Sequence, residues 1–191
     1  MQEDDFVQQV TLLVKEVLPE QYIPIQKANL YYQITVDNNL EVTLDLKKPK
    51  RGDSAFQTDL CIFLKKNDLC IPKVVFEFKS RLTSHDVITY SNKAKRHKQI
   101  YPYLRYGLIA FELSTIPKRF FVHNESLDFI FATKEHTDSL QRLLRRLIKQ
   151  ELKQSDDLES TIFGSKKHDF FRTKIEFGNL DDDFEDLTEV K

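Results

Sequence analysis

Asp59, Glu77 and Lys79 are spaced to act together. They lie in two apolar runs, 57–65 (QTDLCIFLK) and 72–79 (PKVVFEFK), separated by the turn signal Lys66-Asn67-Asp68, and this pattern predicts a β-hairpin. With the turn centred on Asp68, Asp59 and Glu77 each stand nine residues away and face one another across the hairpin. Side chains paired in this way have Cβ atoms about 4.5–5.5 Å apart. Lys79, two residues beyond Glu77, points to the same face. The other residues of both runs are largely apolar, which predicts central strands buried on both faces.

Charges at the edge of such a sheet are costly unless they are paired or bind a metal. Two neighbouring carboxylates oppose each other's ionisation, and a divalent cation relieves that opposition. Hard oxygen ligands suit Mg2+, which binds through one or two carboxylates and keeps positions for water and substrate. An adjacent ammonium can hold a water or stabilise charge building on a phosphate. The chemistry implied is metal-assisted hydrolysis of a phosphodiester. A structural salt bridge of Lys79 with Glu77 or Asp59 is the alternative that the same spacing allows.

The elements that must position these groups follow from periodicity. Residues 4–18 predict a helix with the stripe Phe6, Val10, Leu13 and Val17, capped by Asp4 or Asp5 and ended by Pro19. Residues 29–36 and 40–46 read as strands around the turn Asp37-Asn38-Asn39, and 47–54 as a polar loop. A helix is expected over 85–101, capped by Ser84, with Pro102 kinking or restarting it and Gly107 ending it. Strands are expected at 108–113, 119–123 and 127–132, an amphipathic helix at 137–153, and a last strand at 170–177. The expected fold is therefore an α/β layered domain with a mixed sheet.

Composition bounds the rest. The 191 residues fit one domain, 1–178, followed by an acidic, disordered tail at 179–191. Only four glycines occur, and neither a GxGxxG nor a Walker A pattern is present, which argues against Gly-rich phosphate loops. There is no run of apolar residues long enough for a membrane span and no basic leader, so no membrane partner is expected. Cys61 and Cys70 read as reduced thiols, pointing to a cytoplasmic protein. The net charge is only −1, but it is polarised: Arg81, Lys93, Lys95, Arg96, Lys98 and Arg105 face a single Asp86 within 81–106. Such polarity suits a polyanion, although solvated helix faces would produce it too.

The order Asp59, then Glu77-Phe78-Lys79, then a helix and a further strand resembles the PD-(D/E)XK nuclease superfamily, the restriction-endonuclease-like fold. The likeness covers about residues 4–113, leaving 114–178 as a C-terminal extension of strands and helix. It implies an α-β-β-β-α-β core, a mixed sheet flanked by helices. Thr58 stands where the name motif has proline. Gln99 and Tyr103 match the Gln-x-x-x-Tyr element of the RecB-like and type I restriction branches, with Pro102 as an unusual residue within it. Some branches also place a metal-shell Glu on the first helix, for which Glu16 is the candidate.

The resemblance implies a Mg2+-dependent DNA endonuclease of restriction or phage-defence type, with Mn2+ as a substitute metal. Asp59 and Glu77 would bind the metal, and Lys79 would orient water or stabilise the transition state. Lys93, Lys95, Arg96, Lys98, Gln99 and Tyr103 would contact nucleic acid. His85 and His97 are read as phosphate contacts or surface residues. Cutting both strands would need two copies, which fits a homodimer. The rival expectations are a nuclease module of a larger defence or repair assembly, and a catalytically silent nucleic-acid-binding domain of the same fold.

Overall fold

A computed structural model describes residues 2–172 except 43, 53 and 166. In chain order the elements are α1 (Glu3–Val17), β1 (Tyr22–Gln26), β2 (Asn29–Tyr31), β3 (Ala55–Gln57), β4 (Leu60–Lys66), β5 (Leu69–Lys79), α2 (Ser84–Ile100), β6 (Arg105–Ala110), α3 (Lys118–His123), β7 (Phe129–Ala132) and α4 (Leu140–Phe163). Five strands form one sheet in the order β1-β4-β5-β6-β7, and β2 and β3 form a separate ribbon. The pairs β1/β4 and β4/β5 are antiparallel, while β5/β6 and β6/β7 are parallel. The fold is thus mixed α/β with helices on both faces of a mixed sheet.

Alternation along β5 explains the two faces. Val74, Phe76 and Phe78 point into a core shared with Phe6 and Val10 of α1 and Leu143, Leu144 and Leu147 of α4. Val75 points the other way, into a core with Val87 and Ala94 of α2 and Phe120 of α3. Because side chains alternate along a strand, Glu77 and Lys79 share the α2 side with Val75. Lys73 breaks this pattern. The β4/β5 register shifts there, from Phe63↔Pro72 to Ile62↔Val74, leaving Lys73 as the extra residue of a bulge. Its buried ammonium meets Asp156 at 2.7 Å and Glu159 at 2.6 Å on α4.

Several elements differ from expectation. β1 is a strand despite containing Pro24, because an edge strand tolerates a residue that cannot donate to the ladder. Among the described residues of 40–46 there is no strand. Leu40, Val42 and Leu46 are exposed there, so extension would bury nothing. The Asp37 turn does form: Asp37 Oδ1 accepts from the amides of Asn39 and Glu41, and Val36 and Val42 make a single bridge. α1 starts without a side-chain cap, and its acidic first turn suits the helix dipole instead. α2 is capped by Thr83 rather than Ser84, in a reciprocal box with Asp86.

α2 ends at Ile100, before the proline. Gly107 does not end a helix but lies inside β6, where the Phe129 ring rests against the space a Cβ would occupy. Residues 118–123 are helical, not extended, because Pro117 starts a turn that buries Phe120 and leaves Val122 exposed. α4 runs ten residues beyond its expected end, continued by the buried Ser155 and the acidic groups that meet Lys73. Residues 170–172 are irregular, and the remainder of the expected last strand, like the acidic tail, lies outside the described residues. Cys61 and Cys70 are not bonded to each other. Among the described residues no helix is long and apolar enough to cross a membrane.

Candidate active site

The site forms where β4 begins and β5 ends. The last β4/β5 pair is Leu60↔Phe76, and one step further stand Asp59 and Glu77. Asp59 turns its carboxylate inward, and its Oδ2 accepts from the Phe78 amide at 2.9 Å. Glu77 is 1% exposed, so its carboxylate is almost wholly withdrawn from water. Its Oε1 accepts from the Tyr106 hydroxyl and, at 3.1 Å, from Lys93 Nζ. Burial pushes the Glu77 carboxyl up to about 7; Lys93 opposes the shift and Asp59 adds to it. The same burial, with Glu77 alongside, holds the Tyr106 phenol well above its ordinary value.

Lys79 completes the group from the other side. Its ammonium reaches Glu3 Oε1 at 3.1 Å and lies 5.7 Å from the centre of the Tyr90 ring. Burial works against its charge, but Tyr90 and Glu3 outweigh burial and raise its pKa. Lys93 also lies over Tyr90, at 5.1 Å, and donates to the Gln57 carbonyl at 3.4 Å. Two carboxylates and two ammoniums are thus held by β4, β5 and α2, with α1 supplying a third carboxylate on Lys79.

The structure brings Asp59 and Glu77 together and adds Lys93 to Glu77, while Lys79, on the same face of β5, pairs with Glu3 and lies against Tyr90. Lys95 and Arg96 are exposed on α2; Lys95 stands 3.8 Å from Glu125, and Arg96 lies over the Tyr32 ring. Lys98 is engaged inward, at 2.7 Å from Asp128 Oδ1. Gln99 and Tyr103 do not share a helical face, because α2 stops at Ile100 and the chain turns through Pro102. Tyr103 instead packs edge-on against Phe163, with the Lys73 ammonium 5.1 Å from its ring. Glu16 accepts from Gln141 at 2.8 Å. It sits at the far end of α1 from Glu3, and thirteen residues at about 1.5 Å each put about 20 Å between them.

Glu3, Tyr90 and Tyr106 are site members that the sequence does not single out, and Lys93 figures there as a nucleic-acid contact only. Lys93 was findable: it falls on the α2 stripe of Val87, Tyr90, Ala94 and His97 that faces the sheet. Tyr106 was not, since its place depends on the parallel β5/β6 register.

His97 is not a surface residue but lies in the core behind the site. Its ring stacks on Tyr106 with centroids 5.7 Å apart, and its Nδ1–H donates to the Tyr31 carbonyl at 2.9 Å. Burial lowers its pKa from 6.5 to about 4, so the folded protein holds it neutral. A depressed base contributes stability that is present above the unfolded value and is lost as pH falls from about 6.5 through 4. The difference in unfolding free energy between wild type and His97→Gln, measured by denaturant titration, is expected to shrink by on the order of 3 kcal/mol across that window. A constant difference would mean that His97 takes up a proton as readily in the fold as in the unfolded chain.

The donor set suits a hard divalent cation. Among the described residues no group of three or more His, Cys, Asp or Glu side chains stands close enough to hold an ion. A cation here would rely on Asp59 and Glu77, completing its shell with water and substrate oxygens, as Mg2+ does. Asp59 opposes the ionisation of Glu77, and a cation would relieve that opposition. No protein-family model matches the sequence, and no curated protein matches it.

Proposed function

We propose that this chain is a Mg2+-dependent endonuclease hydrolysing DNA phosphodiester bonds, a PD-(D/E)XK nuclease of restriction or phage-defence type. The observation that carries this reading is the meeting of Asp59 and Glu77 at the ends of adjacent buried strands, with Lys79 one alternation further on. The order α1, antiparallel β1, β4 and β5, then α2 and parallel β6 supports the α-β-β-β-α-β core that the resemblance implies, with β1 in the place expected of 40–46.

Asp59 and Glu77 would hold the cation, which when bound would polarise the phosphate and acidify a water. Tyr106 and Lys93 fix the Glu77 carboxylate by hydrogen bonds. Lys79 stays charged and stabilises the negative charge that develops on the phosphate. Cleavage of supercoiled plasmid DNA titrated with Mg2+ tests the proposal. Nicking that follows metal occupancy and stops with chelator is the expected result; no cleavage at any metal concentration would leave a silent binding domain.

Lys95 and Arg96 are the exposed cations of the basic helix, whereas Lys93 and Lys98 are engaged by Glu77 and Asp128. Neutralising Lys95 and Arg96 to glutamine is expected to flatten the salt dependence of DNA binding by about 0.9 in slope for each phosphate that is no longer neutralised. Anisotropy titrations over a range of NaCl measure it, and an unaltered slope would turn this face away from DNA. A nuclease module of a larger defence or repair assembly is the second reading. The connection between β2 and β3 favours it, since Ile34, Val36, Leu40, Val42 and Leu46 are exposed there.

A further inference from the structure

Between α2 and the residues that follow β2 lies an open hollow of about 320 Å³, at the lower end of the size range of small-ligand sites. Tyr32 and Gln33, just after β2, line one side; Asn92, Lys95, Arg96 and Gln99, from successive turns of α2, line the other. Three of these side chains are amides, which both donate and accept hydrogen bonds. Two are cations, one is aromatic and none is acidic. The Tyr32 ring stacks on Phe56 with centroids 4.0 Å apart and planes at 17°, and the Arg96 guanidinium lies 5.6 Å from its centre.

The hollow is tied to the site by a ladder of rings. Phe56 meets His97 edge-on at 6.0 Å, His97 stacks on Tyr106, and the Tyr106 hydroxyl bonds Glu77. Phe56 is also one residue from Gln57, whose carbonyl takes Lys93. A group seated on Tyr32 is therefore held at a fixed separation from the carboxylates by packed, half-buried or buried rings.

We propose that this hollow takes one unstacked nucleotide of a single-stranded stretch of the substrate. Its base would lie on Tyr32 in place of the Arg96 guanidinium, with its edge read by the Gln33, Asn92 and Gln99 amides. Its phosphate would lie against Lys95 and Arg96. Aromatic platforms with flanking cations bind unpaired bases in this way, and a paired base cannot reach them. This rests on the nuclease reading, since the hollow takes its substrate from it.

Binding without hydrolysis separates the two. In EDTA, the full chain is titrated against fluorescein-labelled oligo(dT) and a duplex of equal length. Tyr32→Ala is expected to weaken single-strand binding about 5- to 150-fold, the effect of removing one stacked base. Asn92→Ala, an exposed change that leaves the ribbon untouched, is expected to weaken it about fivefold. Duplex affinity is expected to stay within about twofold in both. Equal losses for both forms, or none for either, would overturn the proposal and reduce the hollow to a solvated surface. If the hollow variants lose single-strand affinity but the wild type cuts nothing in Mg2+, the nuclease reading falls and the hollow stands. If the wild type cuts while the variants bind unaltered, the hollow alone falls.

Discussion

Plasmid DNA incubated with Mg2+ and either the Asp59→Asn or the Glu77→Gln protein is expected to remain uncut, with the rate down by on the order of 10³-fold or more. Each change removes a charged oxygen that would bind the proposed cation but keeps an acceptor where the fold uses one. In Asp59→Asn the new amide oxygen would still accept from the Phe78 amide, and in Glu77→Gln from the Tyr106 hydroxyl. Truncation to alanine is expected to have the same effect on cleavage but is structurally harsher. Glu77→Ala strands the buried Tyr106 hydroxyl, at a cost of about 1–3 kcal/mol. Lys93 suffers less, since it is 23% exposed and can hydrate. Folding is monitored by circular dichroism and DNA binding by anisotropy, both expected to change little in the isosteric variants. Wild-type cleavage by either would remove Asp59 and Glu77 from the chemistry.

Lys79→Ala is expected to lower the single-turnover rate by on the order of 10²-fold or more while leaving DNA affinity nearly unchanged. The ammonium is a compact charge held against Glu3 and Tyr90, and a planar guanidinium cannot take its place in that space. Lys79→Arg is accordingly expected to recover only part of the loss. Equal rates in wild type and both variants would leave Lys79 as one half of a surface ion pair with Glu3, worth about 1 kcal/mol or less.

The carboxylate pairing is legible in the sequence, but the turn that leads to it is not. Near the turn the strands pair as Lys66↔Leu69 and Phe63↔Pro72, one residue out of step with a turn centred on Asp68. Lys73 bulges out and restores the step, so the register from Ile62↔Val74 to Leu60↔Phe76 is the expected one. A lysine inside an apolar run is the visible trace of that bulge, but its partners lie more than eighty residues away on α4. The long helices α1, α2 and α4 are readable from their stripes because each buries one face, whereas the six-residue α3 is too short to show one and reads as a strand; the helix ends are not readable, since caps and prolines compete for them. Glu3 is hidden for a similar reason. Phe6 packs edge-on against Phe78, which carries the first turn of α1 over Lys79, and only that packing singles out Glu3 among three acidic neighbours.

Gly107 offers a geneticist a conditional allele. An alanine there would push on the Phe129 ring, which also leans on Phe76 at 5.3 Å, so the strain falls between the two parallel strands beside Tyr106. Overpacking of this kind costs about 1–3 kcal/mol, enough to lose the protein on warming and keep it when cool. Cells carrying Gly107→Ala could then be shifted in temperature to deplete the whole polypeptide. Comparison with the isosteric alleles at Asp59 and Glu77, expected to lack cleavage, would separate phenotypes that need the proposed chemistry from those that need only the protein's presence.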